Sequence, residues 1–192
     1  MPELVLAVLV TAAYVYCTSA VAKLRGRQSY RSFRAGLGST ALVPARLLPV
    51  TAGILVGCEA TVATGLAAAG VLAAVGLASA ATVTALALGG AALLTGVLAV
   101  GIVVVIRRGT QARCACFGVK SGRALGVPHL ARNIGLLALV AVGLAADHAT
   151  HGRPVPVGIA VAAVAGVVTG LLLTRFDELV MLFTPISRHG TG

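Results

Sequence analysis

Cys114, Ala115, Cys116, Phe117 and Gly118 place two thiols one residue apart in a short basic segment between long apolar runs. A disulfide between such near neighbours closes a very small ring. Bridged cysteines keep their Cα atoms within about 6.8 Å, so the pair needs a turn and an extended backbone would strain the bond. Gly118 permits a tight turn directly behind the pair. A strained bridge is the more easily reduced, which suits a relay better than a structural staple. Arg107, Arg108, Arg113 and Lys120 surround the two residues and favour the thiolate, the form that attacks disulfides. Metal binding is the competing chemistry: two thiolates and His129 supply three nearby ligands, one short of a closed tetrahedral site. Two inert cysteines are the third reading.

Other polar residues stand out because their surroundings are apolar. Glu59 is the only acidic residue deep within an apolar run. A charge at the centre of a bilayer costs about 2.5–3.5 kcal/mol on insertion scales, so Glu59 has to face a bundle interior, be paired or be protonated. Lys23, at the end of the first run, is the nearest partner in sequence, and Arg132 is a second. Such a glutamate either relays protons that accompany thiol oxidation or knits two helices together. Arg132 and Asn133 lie about one turn into a helix, in position to hydrogen-bond the cysteine segment or the carbonyl of a quinone; a snorkelling Arg132 is the plainer alternative. Cys17 and Cys58 lie inside the first two runs. Packing as small buried hydrophobes is the default for each, with a second thiol pair as the alternative. Asp147, His148 and His151 form a metal-like fragment that lacks a fourth ligand, as a solvated loop also would.

The elements that must position these residues are membrane spans. Of 192 residues 58% are hydrophobic and only 10% charged, against about 25% charged in a soluble domain. Mean hydropathy is +1.01. Charge is concentrated between the apolar runs, as in a polytopic membrane protein with an all-α fold. The chain opens Met1-Pro2-Glu3 with no Lys or Arg until Lys23, whereas a cleavable signal peptide opens on a positive region, so the first run reads as an uncleaved span. A net charge of +10 without interleaved aromatics points to the membrane surface and not to nucleic acid.

A crossing helix needs about 20 apolar residues. Glu3–Ala22 supplies one. The stretch Leu47–Ile106 is long enough for two, with a turn expected near Gly76–Thr82, giving Leu47–Val75 and Val83–Ile106. Val127–Ala146 and Pro154–Thr174 complete five, each with a proline suited to its first turn. Gly53-x-x-x-Gly57 and Gly166-x-x-x-Gly170 are small-residue stripes that would let helix backbones approach closely in lipid; the general abundance of Gly and Ala is the alternative source of both. With five spans, six Lys/Arg in 23–46, six from Arg107 to Arg132 and two in the tail fall on one side, against Arg153 alone on the other. The positive-inside rule then puts the cysteine segment in the cytoplasm.

Several of these residues together resemble the MauE branch of the DoxX-like membrane proteins. The pattern runs from Ala22-Lys23-Leu24 and Phe33 through Leu47-Leu48-Pro49 and Glu59 to Cys114-Ala115-Cys116-Phe117-Gly118 and Leu130-Ala131-Arg132-Asn133. It covers residues 1–146, so the resemblance implies a four-helix transmembrane domain there and, over 147–192, an additional span with a short tail. It implies a protein of the bacterial inner membrane associated with thiol–disulfide chemistry. The family's named member is needed to mature a disulfide-rich subunit of methylamine dehydrogenase and works beside a thioredoxin-like partner. By position, Cys114 and Cys116 become the redox pair, with Lys23, Glu59, Arg132 and Asn133 in support. That role is extracytoplasmic, opposite to the side assigned by the charge count. A non-enzymatic assembly subunit and a small metal-handling or transport protein are the alternative functions.

Overall fold

The computed structural model describes residues 2–77, 79–109, 126–149, 154–176 and 178–179. Among them six helices follow one another: α1 (Pro2–Leu24), α2 (Arg27–Ser39), α3 (Leu48–Val75), α4 (Ala80–Arg107), α5 (Val127–Ala149) and α6 (Pro156–Thr174), with a 3-10 turn at Ala45–Leu47 leading into α3. All but α2 are long and apolar enough to cross a bilayer. The chain is a polytopic all-α bundle with five candidate spans.

The turn between the second and third spans falls where small residues cluster. Gly76 takes the left-handed conformation, φ 69°, which a glycine adopts without a Cβ penalty. Its N–H donates to the Ala73 carbonyl at 3.2 Å, and that of Leu77 donates to the Leu72 carbonyl at 3.1 Å. This paired cap satisfies carbonyls that the end of α3 would otherwise leave bare in lipid. Pro49 and Pro156 occupy the first turns of α3 and α6, where a missing N–H costs nothing.

The first connection is more ordered than a charged loop. α2 was not anticipated from sequence, yet its pattern is amphipathic: Tyr30, Phe33 and Leu37 recur at helical spacing and pack on Ala52, Leu55 and Val56 of α3. Arg27, Arg31 and Arg34 are exposed. A short helix with this division of faces lies along the membrane surface and does not cross it.

α1 is the hub. It packs against α3, α5 and α6, and most extensively against α6. Val5, Val8, Leu9, Ala12 and Val15 are buried with Ala63, Leu66 and Ala69 of α3, Leu88 and Ala91 of α4, and Leu136 and Val140 of α5. Lipid is as apolar as these side chains, so close packing rather than water exclusion holds them together. Outward-facing residues such as Leu86, Leu93, Val157 and Val164 are exposed and meet lipid.

The two glycine stripes behave differently. A Cβ on Gly166 would fall 2.7 Å from the Val10 Cβ and 2.8 Å from the Ala7 carbonyl oxygen, and one on Gly170 would fall 2.8 Å from Tyr14 Cδ1. Thr11 Oγ1 donates to the Gly166 carbonyl at 3.0 Å across the same contact. α6 therefore rides directly on the α1 backbone. Gly57, by contrast, has nothing within 4 Å of its notional Cβ, and Gly53 meets only the Tyr30 hydroxyl at 3.9 Å. That stripe joins no pair of spans.

Candidate functional site

α1 presents Tyr16, Ser19 and Lys23 at intervals of three and four residues, which aligns them on one helical face. All three are buried. At the foot of this stripe Lys23 Nζ donates to both carboxylate oxygens of Glu59, each at 2.5 Å, and to Ser19 Oγ at 2.9 Å. Ser19 in turn donates to Glu59 Oε2 at 3.3 Å. The Lys23 side chain is 2% exposed and that of Glu59 5%, so the ion pair is sealed from lipid. Lys23 Nζ also lies 4.8 Å from the centroid of the Phe33 ring, a cation–π distance that ties α2 to the cluster. Neither charge alone is tolerable at this depth; together, with Ser19 filling remaining hydrogen-bond capacity, they are.

A second polar contact continues the stripe. The Tyr16 hydroxyl donates to the Ala91 carbonyl at 2.9 Å and lies 2.7 Å from Thr95 Oγ1, joining α1 to α4. From α5 come His129 and Asn133, both buried, and the half-buried Arg132. Asn133 Nδ2 donates to the His129 carbonyl at 2.8 Å.

These groups surround a cavity of about 300 Å³ lined by α1, α2, α3, α4 and α5. Its polar residues are Ser19, Lys23, Thr40, Thr51, Glu59, His129, Arg132 and Asn133; its walls are apolar, among them Phe33, Leu37, Leu55, Leu98, Ile102 and Val105. A smaller chamber of about 40 Å³ adjoins it, lined by Tyr16, Thr95 and Leu173 and sharing Ser19, Glu59, Leu98, Arg132 and Asn133 with the larger one. A space of this size with several polar walls has room for a water molecule.

The structure thus brings Lys23, Glu59, Arg132 and Asn133 around one cavity. Ser19 and the interfacial Phe33 complete it, and Tyr16 and Thr95 line the adjoining chamber; the signal for Ser19 and Tyr16 was the periodic polar stripe along α1. Cys114 and Cys116 lie outside the described residues, as does His151. The described ends flanking the cysteine segment belong to helices that line the cavity: α4 closes at Arg107, two residues past Val105, and α5 opens at Val127, two before His129. Cys17 and Cys58 are free and exposed on the outer faces of α1 and α3, and neither lines the cavity. The expectation that they pack as buried hydrophobes is corrected: each is exposed at the side of its helix and meets lipid.

No curated protein and no solved structure matches this chain. The model of the family described as methylamine utilisation protein MauE matches residues 1–146, a stretch that holds every polar residue of the cavity together with the two cysteines. The chain belongs to the MauE family.

Proposed function

We propose that this protein is an integral-membrane thiol–disulfide redox protein in which Cys114 and Cys116 alternate between dithiol and disulfide beside a thioredoxin-like partner. In the oxidising direction the Cys114–Cys116 disulfide is attacked by a partner thiolate, passes through a mixed disulfide and leaves the partner oxidised and the pair reduced. Restoring the bond removes two electrons and two protons. The observation that carries the reading is the buried Lys23–Glu59 pair with Arg132 and Asn133 around a cavity whose helices flank the cysteine segment. Polar groups held this deep in a membrane bundle are costly and mark functional sites. Membership of the MauE family supports the same role. Family membership supports a bacterial inner-membrane location, and the charge asymmetry supports a cysteine segment at the cytoplasmic face.

The test is mass-tag alkylation of the protein in membranes, in a Cys17→Ala/Cys58→Ala background so that only the pair is counted. Oxidant should protect both thiols together and reductant should expose both. Two thiols that stay reduced under every condition would refute the redox role. Full biological activity in a Cys114→Ser/Cys116→Ser variant would instead identify an assembly subunit.

A further inference from the structure

We propose that the cavity between α1, α2, α3, α4 and α5 is a binding site for a membrane quinone, with its ring head against Arg132 and Asn133. This rests on the redox function proposed above and names the electron acceptor it requires.

The argument begins with volume and polarity. At about 300 Å³ the cavity sits at the lower end of the range of ligand pockets, roughly 300–1,000 Å³, and such pockets form between the helices of bundles. Its walls are mostly aliphatic, and the Arg132 guanidinium and the Asn133 amide place N–H donors in its lining. Donors of this kind suit carbonyl oxygens. The Glu59 carboxylate, in the same lining and bound to Lys23, disfavours an anionic head such as a phosphate. A cluster of cations without a carboxylate lies elsewhere. A surface groove outside the bundle is lined by Arg27, Arg31, Arg34 and the Lys23 stem, with no acidic residue among its lining.

The electron balance selects the same ligand. Joining two thiols as a disulfide releases two electrons and two protons. Reduction of a quinone to its quinol takes up two of each at the two carbonyl oxygens, so the exchange closes with no other reactant. Lys23, Ser19 and Glu59 form a continuous hydrogen-bonded unit, and the adjoining chamber has room for water beside Tyr16 and Thr95. Ser19 and Glu59 thus put proton-exchanging groups on the wall of the site.

The experiment is equilibrium binding of decylubiquinone to the full chain in nanodiscs, using the Cys114→Ser/Cys116→Ser variant so that binding is read without thiol chemistry. Saturable binding at one quinone per chain is expected. Arg132→Gln should weaken it about tenfold, the loss of one charge-assisted hydrogen bond. Ile102→Trp, which fills the cavity from α4, should abolish it while the variant remains monodisperse. Absence of saturable binding, binding indifferent to Ile102→Trp, or displacement by phosphatidylglycerol at equal mole fraction would each overturn the proposal. If decylubiquinone binds as expected but the cysteine pair never oxidises, the site stands and the redox function falls. If the pair cycles but no quinone binds, the reverse holds.

Discussion

Glu59 is the residue on which the interior depends. Substituting Glu59→Gln leaves the Lys23 ammonium buried without a counter-charge, and breaking such a pair costs about 3–5 kcal/mol. Thermal unfolding in detergent should show a large loss for Glu59→Gln, and Lys23→Met/Glu59→Met should recover most of it, because the uncompensated charge has gone. If the double variant is no better than the single, Lys23 is not what Glu59 neutralises. Tyr16→Phe removes the hydroxyl that contacts Ala91 and Thr95. Interhelical hydrogen bonds within bilayers average about 0.6 kcal/mol with a maximum near 1.7, so its loss should be small in the same assay. At this scale much was legible before the fold. One carboxylate in an apolar run demands a partner, and Lys23 is close in sequence. Tyr16 and Thr95 escaped because a hydroxyl crosses a membrane at little cost, leaving no anomaly to notice. Cys17 and Cys58 escaped for another reason: hydropathy gives the same value to a side chain facing lipid and to one facing protein.

Among the elements, the tight contact is between α1 and α6. Gly166→Val places a branched side chain where a Cβ already meets Val10 and the Ala7 backbone, and overpacking of this kind costs typically 1–3 kcal/mol. Gly57→Val, with open space around it, should leave the melting temperature unchanged; equal effects at both positions would show that α6 does not ride on α1. Both glycines belong to identical sequence stripes, so spacing alone does not separate them. The separation comes from which face α1 covers. α2 was hidden for a related reason. Its three arginines and three serines lower its hydropathy below that of any span, so a search for crossing helices passes over it, although Tyr30, Phe33 and Leu37 repeat at helical intervals.

For the whole molecule, the end of α4 at Arg107 and the start of α5 at Val127, which flank the cysteine segment in sequence, lie at the same end of the bundle as α2. An impermeant maleimide applied to intact cells should leave Cys116 unlabelled in the Cys17→Ala/Cys58→Ala background and should label it in inverted vesicles. Labelling in intact cells would reverse the orientation drawn from charge. The span count was readable from hydropathy because bilayer thickness fixes helix length, whereas the cavity arises from long-range packing that a linear pattern does not encode. α6 lies beyond the family match, yet the Thr11–Gly166 hydrogen bond spans 155 residues of chain. A chain stopped after residue 153 should therefore fail to give monodisperse protein on size exclusion. α1 is thus completed by α6. Until α6 has left the ribosome the strip of α1 bearing Ala7, Thr11 and Tyr14 has to be sheltered by lipid or by the insertion machinery, and only then does this contact close.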